Sequence, residues 1–226
     1  MRRSFSAMSL VILAASTLAG QSTSSMRPLF DGKTTTGWRG FKKPGFPEKG
    51  WVVEDGWLKH LAARGEPSSG DIMTVDTFDN FDLQFEWKVA LGANSGVKYL
   101  VTEDRKGPIA HEYQVIDDER HADAKIGPHR QTAALYDVFP AHDRPMKPAG
   151  EWNTSEVIVK GNHVEHLLNG KKVLEYELDS PALREAIAKS KFKDIARFGK
   201  PQSGHILVQD HGNQVWFRKL EIKKTK

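Results

Sequence analysis

Between Phe81 and Val89 the chain alternates residue by residue: Phe81, Leu83, Phe85, Trp87 and Val89 point one way, Asp82, Gln84, Glu86 and Lys88 the other. A period of two marks a strand with one face buried and one in water, as in an antiparallel sheet. The same pattern in shorter runs predicts strands at Trp51–Glu54, Trp57–His60, Asp71–Val75, Val97–Val101, His111–Asp117 and Gln131–Tyr136. Further strands are expected at Trp152–Lys160, His163–Leu168, Lys171–Leu178, His205–Gln209 and Gln214–Ile222. Asp55-Gly56, Gly161-Asn162 and Asn169-Gly170 are tight-turn signals, so residues 152–178 read as a three-strand meander. Gly92-Ala93-Asn94-Ser95-Gly96 reads as another turn, and 62–70, 102–110 and the proline-rich 139–150 as loops. One helix is predicted, with Ser180 as N-cap, Pro181 at its first position and a body from Ala182 to about Ser190. Its weak apolar pattern marks it as a surface insertion.

Many short strands, tight turns and one small helix imply an all-β fold, an antiparallel β-sandwich of the jelly-roll kind. Residues 26–226 suit a single domain with a core of useful size, and no internal repeat interrupts them. There is no cysteine, so no disulfide framework and no thiol-linked lipid anchor is expected. Residues 1–25 read as a secretory signal peptide with a polar lead-in. Arg2 and Arg3 precede the apolar run Met8–Leu18, and the small residues Ala19 and Gly20 follow. The run is short for a membrane span. Export to the periplasm or the medium, without a membrane anchor, is the expectation. The net charge of +4 includes Arg2 and Arg3, and no basic stripe is interleaved with aromatics, which argues against a nucleic-acid partner.

Candidate chemistry centres on His111-Glu112-Tyr113-Gln114-Val115-Ile116-Asp117. Alternation puts Glu112 and Gln114 on one strand face. An unpaired carboxylate and amide are poor core material, so this face is either solvated or a groove that grips hydroxyls or moves protons. Lys98, after Asn94-Ser95-Gly96, either snorkels outward or faces Glu112 across the sheet. His166 lies between Val164 and Leu168, where a satisfied half-buried histidine and a catalytic one are both open readings. Gln209-Asp210-His211-Gly212 ends a strand, where loops carry function. Asp117, Asp118, Glu119, His121 and Asp123 form an acidic cluster without calcium-loop or zinc-hydrolase spacing. A divalent metal held by groups from separate strands stays open. No phosphate loop, dinucleotide fingerprint or nucleophile elbow occurs, and no organic cofactor is expected.

The ordered series Leu29-Phe30-Asp31-Gly32, Gly37-Trp38, Trp51-Val52-Val53-Glu54-Asp55-Gly56, Asn94-Ser95-Gly96-Val97 and Glu112-Tyr113-Gln114-Val115-Ile116-Asp117 resembles the 3-keto-disaccharide hydrolase family. The resemblance continues through Ala134-Leu135-Tyr136-Asp137, Glu151-Trp152-Asn153, His166-Leu167-Leu168-Asn169-Gly170 and Val208-Gln209-Asp210-His211-Gly212 to Phe217-Arg218. It implies a concanavalin-like or laminin-G-like jelly roll acting on glycosides already oxidised to a ketone at C3. Such a ketone acidifies the C2 proton, so a base can form an enolate and the C1 aglycone leaves by elimination. Water then adds back. The chemistry asks for a base, an enolate holder and an acid, not the spaced carboxylate pair of ordinary glycosidases. The resemblance assigns Glu112 or His166 as base and Lys98 or a divalent metal as enolate stabiliser. Gln114, Asn94, Tyr136, Asp117, Asn153, Gln209 and His211 would bind substrate or support the site. Two departures are Lys219 after Phe217-Arg218, where asparagine is expected, and Tyr99-Leu100 in place of an arginine-bearing strand end.

Two functions are therefore weighed: an exported hydrolase or lyase of 3-keto-glycosides, and a non-catalytic carbohydrate-binding module of the same fold. Catalysis requires Lys98, Glu112 and His166 within reach of one another. A binding module would expose an aromatic platform instead.

Overall fold

The computed structural model describes residues 25–62 and 69–225. The expected signal peptide and most of the expected 62–70 loop thus lie outside the described residues.

Among the described residues, thirteen strands and one α-helix follow in the order β1 (Arg27–Pro28), β2 (Trp38–Gly40), β3 (Trp51–Glu54), β4 (Trp57–His60), β5 (Ile72–Thr74), β6 (Phe81–Val89), β7 (Asn94–Val101) and β8 (His111–Ile116). Then come β9 (Asn153–Lys160), β10 (His163–Leu168), β11 (Lys171–Glu177), α1 (Pro181–Ala188), β12 (His205–Val208) and β13 (Val215–Lys224). They form two antiparallel sheets. The larger runs β11-β10-β9-β6-β13-β4-β3, with β1 added on β13, and the smaller β2-β5-β12-β7-β8. The period-two pattern decides the packing. Phe81, Leu83, Phe85 and Trp87 of β6 face Val97, Tyr99, Tyr113 and Val115 of β7 and β8 in one core. Asp55 and Gly56 both take positive φ, 53° and 79°, as the β3–β4 hairpin turn requires. The Ser180 side chain accepts from the Leu183 N–H, capping α1 as expected. The helix is more than a surface insertion, because Leu183 and Ile187 are buried in the core.

Two segments depart from the expected elements. Asn94, Ser95 and Gly96 open β7 rather than forming a turn; the chain reverses earlier, where the Ala93 N–H meets the Ala90 carbonyl and Gly92 has φ 69°. Residues 131–136 lie along the free edge of β8 without becoming a strand. The Ala133 N–H donates to the Gln114 carbonyl at 2.9 Å and the Tyr136 N–H to that of Glu112 at 3.1 Å, but positive φ at Ala133 and Asp137 breaks the ladder. Two short 3-10 turns, Asp123–Lys125 and Pro128–Arg130, lie in the polar stretch between β8 and β9. Among the described residues no helix is long and apolar enough to cross a membrane.

A polar staple crosses the core. Ser155 on β9 accepts from the Trp87 indole N–H at 2.7 Å and donates to the Tyr113 hydroxyl at 2.8 Å, which donates to the Leu167 carbonyl at 3.1 Å. This ties the two sheets together at fully buried groups. Ser155→Ala leaves the indole donor unsatisfied and is expected to cost about 1–3 kcal/mol, read as a lower urea midpoint at unchanged slope.

Candidate active site

The face of the smaller sheet turned away from the core carries the charged residues. Register places Lys98 opposite Glu112 on β8 and Leu207 on β12, and Leu207 opposite Met73 on β5. Their strand neighbours Tyr99 and Tyr113 point into the core. Lys98 Nζ lies 3.8 Å from Glu112 Oε2 and 3.6 Å from Asp71 Oδ2, with side-chain exposures of 8%, 6% and 9%. Two carboxylates and one ammonium are thus withdrawn from water together. A pocket of about 260 Å³ opens over Lys98 and Glu112, walled by Pro108, Lys191, Phe192 and Gln209.

Gly96 has a reason other than a turn. A Cβ there would sit 2.4 Å from Glu112 Oε1 and 2.9 Å from its Cδ, so the carboxylate lies flat across this glycine. Burial raises the Glu112 carboxyl above its ordinary value, opposed first by Lys98 and then by Lys191. Burial likewise raises Asp71, opposed by Lys98 and by the hydrogen bond from the Asp210 N–H, 2.9 Å from Asp71 Oδ1. Asp210 is itself anchored. Its carboxylate accepts from Ser69 Oγ and the Gly70 N–H, both at 2.9 Å, and meets His60 Nε2 at 3.0 Å. His60 Nδ1 reaches the Asn213 carbonyl at 2.8 Å. The β3–β4 hairpin and the β12–β13 loop therefore brace the backbone that carries Asp71.

Of the sequence-predicted residues, Glu112, Lys98, Gln114 and Gln209 share this face. Gln114 is held by the Arg130 carbonyl at 3.3 Å, and Gln209 Oε1 is buried without a hydrogen-bond partner. Asn94 Oδ1, two strand positions before Gly96, is a second buried acceptor without a partner. Tyr136 donates to Asp123 at 2.8 Å and carries Lys191 Nζ 4.0 Å above its ring, at the pocket's edge. His211 is exposed, its ring 5.5 Å from that of His121.

Three expectations are corrected. His166 lies behind the sheet, fully buried between the two layers. Its Nδ1 faces the Ala133 carbonyl and so carries the proton, and Nε2 accepts from the Tyr99 hydroxyl, both at 2.8 Å. Burial lowers its pKa to about 4. No lone pair is left for a substrate. Asn153, on the larger sheet, instead joins Lys147 to Asn169. Asp117 caps the end of β8, accepting from the Gly92 N–H at 2.8 Å and the Glu119 N–H at 3.0 Å. The acidic cluster around it disperses, with Asp118 bound to Thr132 and Arg144 and Asp123 to Arg130 and Tyr136.

Among the described residues, one group of three could hold a metal ion: His163, Glu165 and Glu175, with ligand atoms within 4.8 Å of one another. It lies on the outer face of the larger sheet, and Lys172 already bridges its two carboxylates. Sequence reading missed Asp71 and Lys191. Neither has a local signal; Asp71 looks like the start of a strand after a glycine, and Lys191 like one of several surface lysines.

Residues 25–223 match the profile of a family described as the 3-keto-alpha-glucoside-1,2-lyase-like domain. A Bacteroides thetaiotaomicron protein named 3-keto-disaccharide hydrolase is 40% identical over 223 residues, covering 86% of this chain and 77% of the relative. A crystal structure from Parabacteroides distasonis, described as a candidate glycosyl hydrolase, superposes with a TM-score of 0.79 at 33% identity, over 89% of this chain and 94% of that one. A Bacillus subtilis protein with a galectin-like fold shares the fold alone, with a TM-score of 0.53 at 13% identity, over 88% and 94% of the two chains.

Two outcomes follow from the packing of Glu112. Its raised folded pKa means that wild-type stability is fully present below the unfolded value and is lost as pH rises through the folded one. The difference in melting temperature between Glu112→Gln and wild type is therefore expected to move in the variant's favour as pH rises from 4 to 8, read from thermal melts across that range. Gly96→Ala is expected to displace Glu112 at a cost of about 1–3 kcal/mol, and turnover should fall more than ten-fold in a variant that still melts cooperatively.

Proposed function

The chain belongs to the 3-keto-alpha-glucoside-1,2-lyase-like family, and from that premise we propose that it cleaves the glycosidic bond of 3-keto-glycosides by elimination followed by hydration. The observation that carries the reading is the buried Lys98 set between Glu112 and Asp71 on the floor of a sheet-face pocket. Glu112 is the base for the C2 proton. Its desolvated carboxylate is more basic than one in water, which suits removal of a weakly acidic carbon-bound proton. Lys98 is the cation this chain supplies beside it, placed to hold the oxygen on which negative charge develops. Gln209, with an unpartnered buried acceptor on the same pocket, suits a sugar hydroxyl.

The expected meeting of three residues is not met, since His166 faces the core on the other side of the sheet. Only Lys98 and Glu112 come together, and the catalytic reading rests on that pair with Glu112 as the base. A binding module would present a flat aromatic platform. Here the pocket floor is charged, with Lys98 and Glu112 nearly withdrawn from water, and its aromatic wall residue, Phe192, is itself buried. Export belongs to the same proposal, supported by the basic, apolar and small-residue succession of residues 1–25.

The assay is aglycone release from a 3-keto-glucoside, with the parent glucoside as control and with chelator in a parallel arm. Turnover of the keto compound alone is expected, and Glu112→Gln should lower kcat by about 10²–10⁴. Because the base must be ionised, activity should fall on the acid side with an apparent pKa above the ordinary carboxylate value of 4.5. Equal turnover of the parent glucoside, or an undiminished Glu112→Gln variant, would refute the mechanism. Loss with chelator would give the enolate-holding role to a metal instead of to Lys98 alone.

A further inference from the structure

Beside the pocket over Lys98 and Glu112 lies a larger cavity of about 810 Å³, between the loop that follows β2 and residues 69–71. Pro108 walls both cavities. Asp71 lines the larger one and reaches 3.6 Å to the Lys98 ammonium on the floor of the smaller. The two cavities are thus neighbours with a shared wall, and Asp71 links the larger to the Lys98 ammonium of the smaller. The larger cavity is lined by the half-buried rings of Phe41 and Phe46, with Lys43 and Glu48 beside them. Phe41 packs on Met73, Val101, Ala110 and Leu207, so it is a fixed wall rather than a loose side chain. Ring faces with a few polar groups suit the apolar face and hydroxyl edge of a sugar, or an aryl ring.

Resting on the elimination reading above, we propose that this larger cavity binds the leaving group, a second sugar or an aryl aglycone, and that Asp71 is the acid that protonates the departing oxygen. Position divides the two carboxylates between the two tasks. Glu112 lies with Lys98 on the floor of the smaller pocket, whereas Asp71 lines the larger cavity and reaches Lys98 from that side. Burial raises both carboxyls, so either can hold a proton in turn. Glu112 takes the C2 proton and the electron pair moves to the ketone oxygen beside Lys98. As the enolate collapses, the C1–O bond breaks, a C1=C2 double bond forms and the C3 ketone returns. The Asp71 proton goes to the leaving oxygen. In the return step water adds to C1 and gives its proton to Asp71, while Glu112 returns its own to C2. Both carboxyls are then reset.

The test compares 3-keto-glucosides whose leaving groups are methanol, glucose and 4-nitrophenol, using the full chain, Asp71→Asn and Phe46→Ala, each variant first shown to melt as a folded protein. Asp71→Asn is expected to lower kcat at least ten-fold more for methanol and glucose than for 4-nitrophenol, whose oxygen leaves without a proton. Phe46→Ala should raise KM for the glucose and 4-nitrophenol compounds about ten-fold more than for the methyl compound. Equal losses on all three substrates in Asp71→Asn would overturn the acid role and leave Asp71 as a partner that holds Lys98. A Phe46→Ala KM that does not depend on leaving-group size would overturn the cavity assignment. Wild-type inactivity on all three would instead bring down the elimination reading on which both rest.

Discussion

Two carboxylates and one ammonium taken out of water together set the terms for the rest of this sheet face. An isolated buried charge costs several kcal/mol, and removing one partner of such a group leaves the others uncompensated. Glu112, Lys98 and Asp71 are therefore interdependent, and the surrounding chain supports them. Gly96 lacks the Cβ that would push the Glu112 carboxylate away. Asp210, itself tied to His60, Ser69 and Gly70, gives its backbone N–H to Asp71. These are costs accepted at a site, since a well-packed apolar cluster in the same place would be at least as stable.

Behind that face the core is polar in an ordered way. The Ala133 carbonyl fixes the proton of His166 on Nδ1, so Nε2 must accept from Tyr99; Tyr99 then accepts from Tyr176, and Tyr176 from His111 Nδ1. One hydrogen-bond direction runs through the whole chain and leaves His111 Nε2 as a buried acceptor without a partner. Burial lowers His111 to about 3 and His166 to about 4 and pushes the tyrosine hydroxyls upward, so the network is neutral at ordinary pH. It links β7 and β8 to β10 and β11, and together with the Ser155 staple it holds rigidly the two strands whose opposite faces present Lys98 and Glu112. The departure Tyr99-Leu100 thus belongs to the scaffold, and Lys219, exposed and paired with Glu86 at 2.6 Å, to the surface.

Much of the fold was legible because it rests on local physics. Strict alternation from Phe81 to Val89 and the meander turns at Gly161-Asn162 and Asn169-Gly170 appear in the structure where the pattern put them. The Asn-Ser-Gly segment misled because glycine there answers to a side chain on the neighbouring strand, while turn propensity concerns only the local backbone. Residues 131–136 have strand-like composition, yet positive φ at Ala133 and Asp137 cannot be read from residue type.

The candidate site was half legible, and the division has one cause. Alternation along a strand states which residues share a face, so Glu112 with Gln114 and the pairing of Lys98 with Glu112 follow from sequence and register. It does not state which face meets the core. That was decided by how the sheets stack, and stacking sent His166 inward to a satisfied core position while it left Lys98 and Glu112 outward under a pocket. Asp71 and Lys191 come from segments far away in the chain, and only the pairing of β5 into the same sheet and the placing of the 190–195 segment beside its pocket bring them in. The sequence by itself determined the strands, their faces and the residue types available for chemistry. The tertiary structure alone decided which of those residues meet, because burial and long-range contact are properties of packed layers rather than of any one strand.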